Sequence, residues 1–211
     1  MTAKAAKTKT TRIKTVKRST GVGAKAPIRA FRDAKAWESW LSKNQGAADG
    51  VWMRIAKKGS GTKSVTQPEA VEVALCYGWI DAQARPESAT AWLQRFMPRR
   101  PRSIWSKINR ERALALISNG RMRPAGLEEV DRAQRDGRWQ AAYDSSRSAT
   151  VPTDLERELE LHPRAHAFFK TISAANRYAI LWRLQTAKKA ETRAKRMRTF
   201  IEMLEKGETI H

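Results

Sequence analysis

Cysteine and histidine are scarce in this 211-residue sequence, and their scarcity argues against several kinds of chemistry. Cys76 is the single cysteine, so the chain has no internal disulfide and fits a reducing compartment. His162 and His166 lie four residues apart, but Pro163 interrupts a continuous helix between them and no acidic third ligand is evident. The third histidine, His211, is far away along the chain. We therefore predict no metal site and no cofactor.

Long apolar runs are also missing. No stretch approaches the roughly 18–20 apolar residues that span a bilayer. The basic N-terminus is not followed by the apolar segment of a secretory signal. The sequence therefore predicts a cytoplasmic protein without a transmembrane segment.

Acidic residues are half as frequent as basic ones, with 21 Asp and Glu against 42 Lys and Arg. Residues 1–30 hold nine of the basic residues and no acid, leaving 33 basic and 21 acidic residues, a net charge of +12, in residues 31–211. This charge favours polyanionic partners such as nucleic acid or acidic headgroups. It is equally compatible with a well-solvated surface that has no such partner, and both interpretations stay open here.

Residues 1–30 are rich in Lys, Thr, Ala and Gly and show no periodic apolar pattern. Such a segment buries too little surface to offset its ordering entropy, so we predict a disordered basic arm. The arm either binds phosphates non-specifically through counterion release or only increases solubility.

The pattern changes at Phe31 and predicts helices and strands. Residues 51–56 read as a strand, and Thr66 to Glu69 has the spacing of a capping box. Residues 79–85 and 91–97 read as an antiparallel hairpin, and Ser103 is expected to cap the next helix. The predicted fold is α+β: a small antiparallel sheet with packed helices in residues 31–144, a linker, and a helical C-terminal region in residues 151–211.

The stretch from Cys76 to Asn109 resembles a binding site more than any other, because it combines three tryptophans and several arginines with few acids. Guanidinium groups suit phosphate and carboxylate, and indole rings can stack on bases or sugars. The alternative is that the tryptophans form core and the arginines are solvated. The candidate ligand-binding residues are Trp79, Asp81, Arg95, Arg99, Arg100, Arg102, Trp105 and Lys107.

Several short motifs carry a resemblance to a known family. They read DGVW from 49, CYGWID from 76, PRR from 98, WSKIN from 105, GRMRPAGL from 120, ANRY from 175 and TRAKR from 192. In order and spacing they resemble the YdeI/OmpD-associated family, also called bacteriocin-protection or OmdA proteins, over residues 31–210. This sequence has Ala82 where we expect Gly and Ala190 where we expect Pro. The resemblance implies an α+β domain with a helical C-terminal part and a link to bacteriocin or stress resistance; it supplies no catalytic residue.

Three functional hypotheses follow. The first is a non-enzymatic basic protein that binds an anionic ligand at the Arg95 to Lys107 surface. The second is a nucleic-acid-associated protein that uses the hairpin and the Lys-rich arm. The third is an enzyme acting on a small anionic substrate, with Asp81 as acid or base and Arg95 as clamp. A protein partner is a further alternative, and the sequence does not define the oligomeric state.

Overall fold

The computed structural model describes residues 26–211 and shows an α+β architecture, which confirms the predicted fold class. The predicted arm therefore lies, up to residue 25, outside the described residues. The strands are β1 (Ile28–Ala30), β2 (Val51–Ala56), β3 (Trp79–Pro86) and β4 (Ala91–Pro98). The helices are α1 (Ala34–Asn44), α2 (Gln67–Cys76), α3 (Lys107–Ser118), α4 (Pro124–Arg135), α5 (Thr153–Leu161), α6 (Pro163–Thr171), α7 (Ala174–Gln185) and α8 (Ala190–Glu205).

The sheet has the strand order β1-β2-β4-β3, with β4 antiparallel to both of its neighbours. The first strand is a correction, because we included Ile28–Ala30 in the disordered arm. These residues pair in parallel with β2, and the Trp52 amide donates to the Pro27 carbonyl at 2.9 Å. Pairing occupies the open hydrogen-bonding edge of β2, which local composition does not reveal. The sheet is therefore mixed and not purely antiparallel.

The hairpin of β3 and β4 has a register shift between Asp81 and Ala84. The buried Gln94 amide donates to the carbonyl oxygens of Ala82 and Gln83, at 3.4 and 3.3 Å, inside this irregular segment. These bonds give the buried Gln94 side-chain amide its partners and tie the irregular segment of β3 to β4. Ala82, where the resemblance leads us to expect Gly, stands in this bulge.

One hydrophobic cluster fills the space between the inner face of the sheet and the helices α1 to α4. Its centre is Trp37, which is fully buried and stacks on Trp40 at 5.4 Å between ring centroids. The Trp37 indole N–H donates to the Ala70 carbonyl at 3.1 Å, so its polar atom is satisfied inside the core. This packing holds α1 and α2 against the sheet.

The helix starts test the capping predictions. Thr66 and Glu69 form the predicted capping box at α2. The expected cap at Ser103 is wrong: α3 begins at Lys107, and the Ser106 hydroxyl accepts from the Asn109 amide at 3.2 Å. Ser103 instead closes the preceding turn, where its hydroxyl accepts from the Arg100 amide at 2.9 Å.

The helices α5 to α8 enclose a second hydrophobic cluster. Asp144 links them to the first part of the chain: Tyr178 donates to its carbonyl at 2.8 Å, and Gln185 donates to its carboxylate at 2.7 Å. The division into residues 31–144 and 151–211 stays a prediction. None of the helices described for residues 26–211 has both the length and the apolar character needed to cross a membrane.

Candidate anion-binding site

The eight predicted site residues do not form one surface. Trp79 is 1% exposed and packs edge-on against Trp37 and Trp40, at 6.1 and 5.9 Å between ring centroids. Its indole therefore supports the sheet and presents almost no surface to a ligand. Asp81 lies beside it on β3, opposite Phe96, and is half-buried.

Four of the five predicted cations lie in three different environments near the surface. Arg95 lies on the outer face of the sheet, where it donates to the Asp49 carbonyl at 3.0 Å. Arg100 and Arg102 are exposed in the turn after β4. Lys107 pairs with the Asp144 carboxylate at 2.7 Å, so this lysine already has an internal partner.

Arg99 is the predicted cation that the fold buries, with 5% of its surface exposed. Its backbone amide donates to the Gly78 carbonyl at 2.9 Å, which fixes the end of the hairpin against the end of α2. The guanidinium lies over the Trp105 ring, with Cζ 3.6 Å from the ring centroid. Arg99 Nη1 donates to the Ile104 carbonyl at 3.3 Å, whereas Nε and Nη2 have no partner.

The fold brings three further charged residues to this place, and sequence reasoning missed all of them. Arg138 is 5% exposed and donates from Nη1 to the Ser103 carbonyl at 2.6 Å, next to the carbonyl that Arg99 binds. Glu129 and Arg132 form an ion pair on α4. These residues lie 30 to 39 positions beyond Arg99, so no local motif links them to it.

We call Arg99, Trp105, Glu129, Arg132 and Arg138 the buried arginine cluster. Within residues 26–211, eight buried side-chain polar atoms lack a hydrogen-bond partner, and six of them belong to this cluster. Five of the six are donors: Arg99 Nε, Arg99 Nη2, Trp105 Nε1, Arg132 Nε and Arg138 Nη2. The single acceptor is Glu129 Oε2. Native interiors leave few polar groups unpaired, so this concentration of donors makes the cluster the candidate site for an anion or an ordered water.

The electrostatics of the cluster follow from burial. Burial lowers the pKa of Arg99 to about 10, while the charges of Glu129, Tyr143 and Asp81 act in the opposite direction. Arg99 is therefore still a cation at neutral pH. Burial also raises the pKa of the nearby Asp81 carboxyl, against the opposing effect of Arg99 and Arg112.

The raised pKa of Asp81 gives a prediction for the variant Asp81→Asn. The folded state binds this proton more tightly than the unfolded state, so ionised Asp81 destabilises the fold above its folded pKa. We expect Asp81→Asn to raise the melting temperature at pH 7. The gain should shrink as the pH falls towards the ordinary Asp value of 3.8 and vanish below it.

The matched control is Asp154→Asn. A hydrogen bond from Arg193 lowers the pKa of Asp154, so ionised Asp154 stabilises the fold and its loss should lower the melting temperature at pH 7. Thermal unfolding of both variants between pH 3 and 8 checks the two signs. An Asp81→Asn variant that is less stable than the original chain at pH 7 would contradict the raised pKa of Asp81.

The class defined by this geometry is an α+β protein with a buried arginine cluster and an attached bundle of four helices. Residues 148–207 match the family model described as Bacteriocin-protection, YdeI or OmpD-Associated, which confirms the resemblance in that region. Residues 29–129 match a different model, a domain of unknown function designated DUF8412. No curated protein and no solved structure matches this chain.

Two arginines of the TRAKR motif that begins at residue 192 form hydrogen bonds within the C-terminal helices. Arg193 donates to the Asp154 carboxylate from Nε and Nη2, at 2.7 Å each, and to the Leu184 carbonyl from Nη1. Arg196 donates to the Arg183 carbonyl. These two arginines satisfy carbonyl groups at the end of α7, so this part of the motif stabilises the helical region.

Proposed function

We propose that this protein is a non-enzymatic binding protein and that the buried arginine cluster holds a small oxyanion such as a carboxylate, phosphate or sulfate. The family description of residues 148–207 supports the further proposal that binding serves bacteriocin protection. The observation that carries the binding proposal is the excess of unpaired buried donors around Arg99.

The charge balance explains why Arg99 is the centre of the proposal. Glu129 pairs with Arg132, and Asp136 accepts from Arg138 Nε at 2.7 Å. Arg99 has a single backbone carbonyl as hydrogen-bond partner. A buried cation without a hydrogen-bonded anion is costly, because its desolvation is poorly compensated. A bound oxyanion would supply both negative charge and several acceptor atoms.

Trp105 gives the proposed site its shape. Its ring lies under the Arg99 guanidinium and edge-on to Trp139, at 4.9 Å between ring centroids. This packing holds the guanidinium plane in place, and a preorganised planar fork favours oxyanions with two or more acceptor oxygens. The indole N–H has no partner, which adds one neutral donor to the site.

The test is thermal unfolding of the full chain in phosphate, sulfate or citrate against chloride at matched ionic strength. An oxyanion at 100 times its Kd should raise the melting temperature by about 5–10 °C. Arg99→Met should abolish this shift without lowering the melting temperature in chloride, because an apolar side chain of similar length replaces a poorly compensated charge.

The matched control is Arg102→Met, which removes an exposed arginine from the neighbouring turn and should keep the full anion shift. Two results would contradict the proposal. One is an Arg99→Met variant that retains the shift. The other is an original chain whose melting temperature no oxyanion raises above the value in chloride.

The enzymatic hypothesis has weaker support. Its favourable observation is the raised pKa of the half-buried Asp81. The expected clamp, however, lies elsewhere: Asp81 is opposite Phe96 in the sheet, and the adjacent Arg95 is opposite Trp52. Successive residues of a strand point to opposite faces, so Asp81 and Arg95 lie on different sides of the sheet. The proposed pair of acid and clamp is therefore not assembled.

A further inference from the structure

The face of the sheet opposite the core carries an indole between two arginines. Arg85 lies over the Trp52 ring, with Cζ 4.4 Å from the ring centroid, and the Cζ of Arg95 is 6.0 Å away on β4. Trp52 is half-buried, and Arg54 and Arg85 are exposed. Planar cationic and aromatic groups therefore cover this part of the sheet together.

Strand register explains why these side chains share a face. Trp52 is opposite Arg95 on β4 and opposite Ile28 on β1. Leu93 on β4 is opposite Arg54 on one side and Arg85 on the other. Directly paired residues point to the same side of a sheet. We call these exposed or half-buried residues the outer sheet face: Ile28, Trp52, Arg54, Arg85 and Arg95.

The outer sheet face has three cations, and one of them, Arg54, has a carboxylate partner. Glu87 pairs with Arg54 through two hydrogen bonds of 2.6 and 2.7 Å. Arg95 donates to the Asp49 carbonyl and, at 3.4 Å, to the Gln83 side chain, which holds its guanidinium near the indole. Within residues 26–211, the side chain of Arg85 makes no hydrogen bond and no ion pair. The face therefore keeps positive charge after internal pairing.

We propose that the outer sheet face binds single-stranded nucleic acid. Unpaired bases offer free π-faces that stack on indole and guanidinium planes, whereas the bases of a duplex are already stacked on each other. The edges of the same guanidinium groups can bind the phosphates between those bases. The net charge of +12 in residues 31–211 favours encounter with such a polyanion.

This surface is separate from the buried arginine cluster, so the two proposals can fail independently. Trp52 and Arg95 lie on the outer side of the sheet, whereas Asp81, whose charge acts on Arg99, lies on the inner side. Arg99→Met should consequently leave nucleic-acid binding unchanged. Trp52→Ala should leave unchanged the rise in melting temperature that an oxyanion produces.

The test is fluorescence anisotropy of the full chain with a labelled oligodeoxythymidine of about 16 nucleotides, near the upper end of single-strand site sizes. We expect Trp52→Ala to weaken binding about tenfold, and Trp52→Phe to retain most of it because the ring persists. Arg85→Ala should weaken binding and reduce the salt slope by about 0.7, the value for one lost phosphate contact on a single strand.

Arg198→Ala is the control for net charge, since it removes an exposed arginine on α8. It should change the affinity by about twofold or less, as expected for a distant charge screened by salt. Three results would overturn the proposal: no binding by the original chain, equal binding by Trp52→Ala that unfolds normally, or equal affinity for a duplex of the same length. Loss of binding in Arg198→Ala as large as in Arg85→Ala would also overturn it.

Discussion

Trp37→Ala is expected to lower the free energy of unfolding by about 3–5 kcal/mol, the usual cost of removing a large aromatic side chain from a core. Trp37 is fully buried and its ring lies within 6.1 Å of the ring centroids of Phe31, Trp40, Trp79 and Phe96. The variant also removes the indole N–H that the Ala70 carbonyl accepts. Because Ala70 lies inside α2, its carbonyl keeps a helical partner, and losing the indole bond adds about 0.5–1.5 kcal/mol, the net value of one hydrogen bond.

Urea denaturation measures this loss, and Trp52→Ala is the matched control. Trp52 is the same residue type on the half-buried outer sheet face, so its removal leaves a smaller cavity. We expect the midpoint of Trp37→Ala to fall well below that of Trp52→Ala at a similar m-value. Equal midpoints would show that the aromatic cluster does not carry the stability that its burial implies.

Gly126→Ala is expected to lower the free energy of unfolding by about 3 kcal/mol, at the upper end of the overpacking range. A Cβ at this position would lie 2.4 Å from the Cys76 carbonyl oxygen and 2.7 Å from that of Leu75. Both contacts are backbone atoms at the end of α2, so side-chain rotation does not relieve them. The helix α4 must move away, and it carries Glu129 and Arg132 of the buried arginine cluster.

Gly46→Ala is the control for this variant, because a Cβ there meets nothing within 4 Å. For a chain of this size, a loss of about 3 kcal/mol corresponds to a fall in melting temperature of about 6–12 °C. We also expect Gly126→Ala to reduce the rise in melting temperature that an oxyanion produces, since α4 positions part of the buried arginine cluster. A Gly126→Ala variant as stable as Gly46→Ala would contradict the close approach of α4 to α2.

Secondary structure was predictable where a periodic apolar pattern or a capping motif identified it within a few residues. The strand Val51–Ala56 has the predicted bounds, and the hairpin strands each extend one residue beyond the prediction. The capping box at Thr66 was predictable because its hydrogen bonds join residues three apart. Ser103 and Ser106 are both suitable N-cap residues, and a tertiary contact favours Ser106. The backbone N–H of residue 107 donates to the carbonyl of Tyr143, which is far along the chain.

The candidate site was predictable only in part. Arg99 and Trp105 stood within the predicted stretch, but the sequence did not separate the buried Arg99 from the exposed Arg100 and Arg102. Adjacent arginines look alike in composition, whereas burial depends on the elements that pack over each one. Arg138 belongs to the same cluster because it reaches the Ser103 carbonyl from 35 residues away.

The α+β class, the strands of the hairpin and the positive charge of the chain could be read from the sequence, because periodicity, capping and charge are properties of neighbouring residues. The folded chain shows in addition which cations are buried, which lie on the outer sheet face and which have internal partners. Those outcomes depend on contacts between distant segments, such as Arg99 with Trp105 and Arg138 with the turn at Ser103. The desolvation that leaves Arg99 a poorly compensated cation arises from the assembled fold and from no single segment of it.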